Sequence, residues 1–361
     1  MSKHHHQQQQ QGTSAFTEPT EPDDTAELAL QPDEGELLIG HKLTVAYNGT
    51  PYVGWQIQPG KETVQGYLER AVAKLWGQPF ALQGSGRTDA GVHALAQVVS
   101  FRAPRRHTAE VLQRALNNNM PETIRVIAAE LMPVEFHARF DSTGKTYHYH
   151  LLNTPLADPF RQHLCFHVPR LLDVAAMRKA AAHLLGVHDF SSFASNPGYT
   201  RTTMVRTMHC VELVEEKTAA SLGEGGLQIT LKVTADGFLY RMVRNIVGAL
   251  IKVGHGKMAP DDFRRILLAA TRTAAPNTAP PHGLYMARAY YGDELQREIE
   301  HKAAQYSLAT KDPLNGEPAP MVWEGSAASF AAAVAPPKYN TTYRRTPKAR
   351  AGMPVSDGFD S

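Results

Sequence analysis

Gly84-Ser85-Gly86-Arg87-Thr88-Asp89-Ala90-Gly91-Val92-His93-Ala94 runs almost directly into Ala96-Gln97-Val98-Val99-Ser100-Phe101, and that junction decides the fold. Glycine fills three of the eight positions from 84 to 91, which lets the backbone take positive φ or approach another group closely. A phosphate-cradling loop would open a helix. Here the spacing is G-x-G-x-x-x-x-G, no Gly-Lys-Ser/Thr follows, and Ala96 to Phe101 reads as a strand. A nucleotide-phosphate reading of the loop therefore fails on context. Arg87 and Asp89, two apart in a loop before a strand, can present a guanidinium and a carboxylate to one pocket. On composition alone, an Asx turn in which Asp89 bonds its own loop is the better reading.

Outward from this loop, helices and strands alternate. Leu43, Val45 and Tyr47 alternate with smaller or polar neighbours and read as a strand ending at the turn Asn48-Gly49. Val64, Tyr67, Leu68, Ala71, Val72 and Leu75 recur at helical spacing and make one buried stripe. Val111 to Leu116 reads as a short helix closed by Asn117-Asn118-Asn119 and Pro121, and Ile124 to Leu131 as a strand. A second set follows: a strand through Tyr147, Tyr149 and Leu151, and a helix from Val174 to Leu185 capped by Asp173. Next come a strictly alternating strand from Leu227 to Val233, an amphipathic helix from Met242 to Ile251, and a helix after Pro260. Leu284 to Tyr291 reads as a closing strand. Two successive sets predict an α+β protein of two similar α/β halves, with mixed, mostly antiparallel sheets flanked by helices. The similarity lies in pattern and not in a sequence repeat.

The chain has 361 residues, 42% of them hydrophobic, and only two cysteines, too few for a disulfide framework. The longest apolar runs, such as Ile246 to Ile251, fall far short of the ~20 residues that span a bilayer, and no secretory signal follows the N-terminal Met-Ser-Lys. These features predict a globular protein of a reduced compartment, the cytoplasm, without a membrane partner. Residues 1–36 hold eight acids and one base and read as a disordered acidic arm; residues 292–361 read as a flexible tail. Residues 37–291 hold 28 bases and 18 acids, an excess that favours a polyanionic partner or makes a solvated charged surface. The expected organisation is an arm (1–36), an N-terminal half (37–144), a C-terminal half (145–291) and a tail (292–361).

Gly86 to Ala94, reading GRTDAGVHA, resembles the active-site motif of TruA-type tRNA pseudouridine synthases. Val53-Gly54-Trp55-Gln56, Lys145-Thr146-Tyr147-His148-Tyr149, Asp189-Phe190-Ser191-Ser192-Phe193, the run from Phe238 to Gly248, and Pro281-His282-Gly283-Leu284 resemble the same family in the same order. The resemblance covers roughly residues 38 to 292, and both tails lie outside it. It implies an enzyme, an intramolecular transferase, that detaches uracil from C1′ of a uridine, rotates it and reattaches it through C5. In family terms the targets are positions 38, 39 and 40 of the tRNA anticodon stem-loop. A homodimer with a basic cleft between the halves of each subunit is implied, and neither cofactor nor metal is required.

Residue by residue, the resemblance makes Asp89 the catalytic carboxylate at the sugar–base bond. A free aspartate, with a pKa of about 3.9, is ionised at neutral pH, but desolvation opposes that charge and a nearby cation restores it. The resemblance nominates Arg244 for that cation, Arg87 as the arginine that contacts RNA and fills the gap left by the everted base, and Tyr147 as the pocket tyrosine that stacks on uracil. Eversion costs a few kcal/mol and a stacking platform returns about 1–3 kcal/mol. Read without the family, Arg244 is a solvated helix face and Tyr147 a core residue, as Tyr149 is.

Three other groups compete for attention. His163, Cys165 and His167 share a strand face at metal-ligand spacing, with no fourth ligand nearby, so a metal is not expected. Arg102, Arg105, Arg106 and His107 either grip phosphates or form a solvated loop. Trp55 is a core anchor or an RNA contact. Two other functions remain open: a non-catalytic RNA-binding module, and an N-glycosidase, which normally needs two carboxylates flanking its bond. Asp89 has no acidic neighbour between Glu69 and Glu110.

Overall fold

The structure, a computed structural model, describes residues 37–309 except 197, 199–201, 219–225 and 273–276. The arm at 1–36 and the tail beyond 309 lie outside the described residues. Strands β1 (Leu38–Tyr47), β3 (His93–Pro104) and β4 (Ile124–Met132), with the two-residue β2 (Gln83–Gly84), come from the first half. The second half supplies β5 (Ser142–Asn153), β6 (Phe166–His167), β7 (Gly186–Asp189), β8 (Val205–Lys217), β9 (Leu227–Ala235) and β10 (Leu284–Tyr291). All join one ten-stranded sheet, ordered β4-β1-β3-β10-β5-β9-β8-β7, with β2 on β3 and β6 on β5. The pairs along this path are antiparallel except β3 with β10. The expected α+β class with a mixed, mostly antiparallel sheet describes the molecule. The expected break at 144 falls inside β5, which begins at Ser142.

Helices α1 (Val64–Trp76), α2 (Ala109–Asn117), α3 (Val174–Ala182), α4 (Met242–Gly254), α5 (Pro260–Leu268) and α6 (Glu294–Ala309) flank the sheet. Thr63 starts α1 by accepting a hydrogen bond from the Gly66 amide, and Gly77, at φ 76°, ends it. Its stripe through Val64, Leu68, Ala71, Val72 and Trp76 is buried, as the periodicity requires. Asp173 caps α3 through the Ala176 amide.

The parallel pairing of β3 with β10 matters most for the site. It sets Tyr285 beside His93 and Met286 beside Ala94. The glycine-rich loop before β3 and the 277–283 segment before β10 therefore emerge at the same end of the sheet. That segment crosses α4 so closely that a methyl group at Gly248 would lie within bonding range of the Asn277 carbonyl.

One expectation needs correction. The stretch from 292 onward was expected to be flexible throughout, yet Glu294–Ala309 is helix α6. Its Leu295 and Ile299 bury themselves with Tyr290 of β10. Arg288 faces Glu294 and Glu298, and Lys302 pairs with Glu212 at 2.6 Å. A polar helix with a narrow apolar stripe gains its stability from such docking, not from propensity. A chain ending at 292 should be less stable to denaturant than one ending at 309 by roughly 3–6 kcal/mol, the burial of two aliphatic side chains. Equal midpoints would show that α6 does not dock.

Candidate active site

The glycine-rich loop is braced from three sides. The Ser85 amide donates to Val98 O (2.8 Å), and the Ser85 hydroxyl to Gln97 Oε1 (2.7 Å). Buried Gln97 in turn donates to the Gly86 carbonyl at 2.6 Å. Thr88 Oγ1 meets the Tyr47 hydroxyl at 2.8 Å, and the Trp55 amide donates to Thr88 O at 3.0 Å. Trp55 is buried against Gly84, which makes it a core anchor. The turn closes with Val92 N–H on Asp89 O at 3.1 Å. The Asp89 backbone thus shapes the loop while its side chain points elsewhere.

That side chain meets the start of α4. Arg244 Nη1 donates to Asp89 Oδ2 at 2.7 Å, and Arg244 Nε donates to the Ala279 carbonyl at 2.8 Å. The Ala279 amide returns a bond to Arg244 O at 3.0 Å. Arg244 is 11% exposed and Asp89 25%, so the pair stands at the inner wall of a cleft and not in bulk solvent. Buried Asn245 anchors the first turn of α4: it donates to Phe193 O at 2.6 Å and accepts from Thr278 Oγ1 at 2.6 Å. The 189–193 motif and the 277–283 segment are thereby tied to the helix that carries Arg244.

Sequence reasoning passed over Arg241. Its Nε stands 3.8 Å from Asp89 Oδ2, and its guanidinium lies 4.8 Å from the Tyr240 ring centroid. Arg241 is a non-glycine residue at φ 57°, a backbone state that stores strain and recurs at functional sites. No sequence pattern reports such a φ. Gln97 and Asn245 escaped notice as well, because a buried amide announces itself only through partners distant in sequence.

Asp89, Arg244, Arg241, Arg87 and Tyr147 all line one cavity of about 2010 Å³. Tyr147 packs edge-on against Phe238, with ring centroids 4.9 Å apart. Burial first, and then coupling to the neighbouring Tyr47 hydroxyl and the Asp89 charge, push its hydroxyl well above the ordinary tyrosine range, so it stands as a neutral phenol. Arg87 is exposed at the rim, donating from Nε to Gln56 Oε1 at 3.1 Å. Tyr149 lies in the core, its hydroxyl donating to Pro280 O at 2.8 Å.

The competing groups lie elsewhere. Cys165 Sγ donates to Arg161 O and His167 Nε2 meets Thr154 O, so both side chains serve their own loop. Among the described residues, no three His, Cys, Asp or Glu side chains are placed to hold a metal. Arg102 donates to Val134 O and Arg106 to Trp76 O, and neither lines the cleft. Each anchors a loop in this way.

Gly54 shows how tightly the loop is held. At φ +111°, it would place a Cβ 2.7 Å from the Thr88 carbonyl. Gly54→Ala should cost about 1–3 kcal/mol in strain and lower turnover by displacing the neighbour of Asp89. Unchanged melting and turnover would show that the loop tolerates displacement.

A family model described as tRNA pseudouridine synthase matches residues 43–141 and 180–292. Curated proteins named tRNA pseudouridine synthase A are similar to most of the chain. The one from Methylacidiphilum infernorum is 48% identical over 255 residues, 70% of this chain and 96% of the relative. That from Maridesulfovibrio salexigens is 42% identical over 253 residues, 70% of this chain and 90% of the relative. That from Lacticaseibacillus casei is 39% identical over 252 residues, 70% of this chain and 99% of the relative.

Proposed function

The chain belongs to the tRNA pseudouridine synthase family, and from that premise we propose that it isomerises uridine to pseudouridine in the anticodon stem-loop of tRNA, at the three positions 38, 39 and 40, with Asp89 as the catalytic carboxylate. The observation that carries this reading is the 2.7 Å pairing of Asp89 with Arg244, contributed by α4 at the edge of a cavity large enough for several nucleotides. Six Arg and Lys residues against four Asp and Glu line that cavity, which supports a basic RNA cleft.

The chemistry follows from these groups. Uracil leaves C1′ with the N1–C1′ electron pair. The Asp89 carboxylate either adds to C1′ or assists the departure by taking a sugar proton. Both routes need it ionised in a site that excludes water, and Arg244 supplies the countercharge. The freed ring turns and bonds C1′ through C5 as the Asp89–C1′ bond breaks or, on the second route, as Asp89 returns the sugar proton. The C5 hydrogen then leaves as a proton, its electron pair restores the C5–C6 double bond, and N1 gains a proton. The net change is redox-neutral and uses no cofactor.

Tyr147 and Phe238 offer ring surfaces to the everted base. The neutral Tyr147 phenol offers a hydrogen bond at the ring where the C5 proton departs. Arg87, on the rim beside Asp89, occupies the gap left in the stem. A cytoplasmic homodimer belongs to the same reading, and light scattering of the purified chain tests its mass. Among the described residues no helix is long and apolar enough to cross a membrane.

The deciding experiment is nucleoside analysis of an anticodon stem-loop RNA whose uridines are varied singly. Pseudouridine at the named positions supports the proposal. Free uracil would indicate an N-glycosidase, and binding without any product would indicate an RNA-binding module.

A further inference from the structure

Lys145, Tyr147 and Tyr149 share one face of β5 because strand side chains alternate. Tyr149 ends in the core and Tyr147 in the cleft wall, while Lys145 stands one step further along the same cavity. The separation of Lys145 and Tyr147 along the strand is roughly 6.6 Å, a distance of the order of one nucleotide. The Lys145 stem runs beside the glycine-rich loop: a methyl group at Gly86 would lie 3.5 Å from its Cε.

What surrounds the ammonium group is unusual for a partly buried lysine. Nζ donates to Ser142 Oγ at 3.2 Å, a neutral partner. Among the described residues no carboxylate lies within salt-bridge distance of it. The acid whose charge acts on it, Asp236, accepts a hydrogen bond from the Thr207 amide at 3.1 Å, and burial pushes its carboxyl up. Arg139 adds a like charge. Burial and that repulsion bring Lys145 down to about 8. A partly buried cation with no carboxylate in salt-bridge contact is incompletely compensated in the free protein, and a ligand carrying negative charge supplies that contact.

We propose that Lys145, with Ser142 beside it, is a phosphodiester subsite that takes a backbone phosphate flanking the everted uridine. This rests on the functional reading above and names a contact for its substrate. An RNA phosphate fits where a free carboxylate ligand does not, because the cavity continues unbroken from Lys145 to Asp89 and Tyr147.

Proton linkage gives the subsite a signature. The phosphate stabilises the ammonium form, so the complex holds more protons than the free protein around pH 8. Affinity is then greatest below that pH and falls as pH rises through it. The charged and titratable groups around Lys145 are Arg139, Asp141, Arg206, His209 and Asp236. Burial pushes His209 down to about 4, so its imidazole stays neutral from pH 7 to 9, and guanidinium groups do not titrate there.

The test uses the full chain and an anticodon stem-loop RNA, with binding followed by fluorescence anisotropy across salt and pH. Lys145→Met keeps the stem and removes the charge. It should raise Kd about 5–10-fold and reduce the log–log salt slope by ~0.7–0.9, the loss of one phosphate contact. Lys145→Arg should retain the salt slope and lose the fall in affinity between pH 7 and 9.

Methylphosphonate substitution, one phosphate at a time, supplies the other half of the cycle. One flanking substitution should weaken binding by wild type and leave Lys145→Met unaffected. An unchanged Kd and slope in Lys145→Met overturn the proposal. So does a scan in which no single phosphate couples to Lys145, which would indicate a base or ribose contact. Failure of the wild type to make pseudouridine would instead sink the functional reading, a result independent of the salt slopes.

Discussion

Asp89→Ala should lower pseudouridine formation by about 10⁴-fold or more, a loss of the size seen when a covalent or charge-stabilising group is removed from a working unit. RNA binding should change far less, since affinity for a polyanion is spread over many phosphate contacts. The substitution also leaves Arg244 and Arg241 facing the cleft without the carboxylate that both approach. Some stability is lost with it, less than the ~3–5 kcal/mol of a fully buried pair, because Asp89 is a quarter exposed. Asp89→Asn separates the two effects. The amide oxygen can still accept from Arg244, so melting should stay nearer wild type while activity falls as far. Comparable product from wild type and either variant, read by nucleoside chromatography, would remove Asp89 from the chemistry.

Arg244→Lys should cost about 10²–10³-fold in turnover, the scale of losing one preorganised electrostatic contact. Arginine here uses two nitrogens at once, Nη1 on Asp89 and Nε on the Ala279 carbonyl. Lysine has a single nitrogen on a flexible stem and can satisfy one of the two. If it turns to Asp89, the Ala279 carbonyl loses its partner and the 277–283 segment loosens; if it turns to Ala279, the carboxylate loses its countercharge. Arg244→Met removes the charge altogether and should fall further. The defect should appear in kcat under saturating RNA. A lysine variant with near-wild-type turnover would show that Arg244 is a structural strut alone.

The elements legible in the sequence were those with a clean period. β1, α1, β9 and α4 carry one buried face each, and their spacing needs no knowledge of the partner. β8 escaped reading for a physical reason. Its register shifts between Met208 and Cys210, which breaks the alternation, and both His209 and Glu212 are buried. A period-two rule cannot detect a bulged strand with polar groups inside. The two- and four-residue strands β2, β6 and β7 are too short to show any period. Helix α6 was readable: Leu295 and Ile299 stand four apart, ahead of the low-period tail that obscured them.

For the site, the glycine-rich motif carried Arg87 and Asp89 as candidates, two further segments carried Tyr147 and Arg244, and their resemblance to a family carried the roles proposed for them. Composition by itself favoured an Asx turn at Asp89 and a solvated face at Arg244. The sequence alone determined the α+β class, the helices and strands with unbroken periodicity, the basic body and the residue types available for chemistry. These are local or additive properties, set by the side chains themselves.

Only the tertiary structure shows that Asp89 and Arg244, 155 residues apart, meet at 2.7 Å, that Arg241 joins them in a left-handed backbone, and that among the described residues no carboxylate pairs with Lys145. The first of these rests on a non-local pairing, the parallel contact of β3 with β10, which brings the glycine-rich loop and the 277–283 segment to the same end of the sheet. Such a pairing is fixed by the packing of the whole core, and no short window of residues contains it.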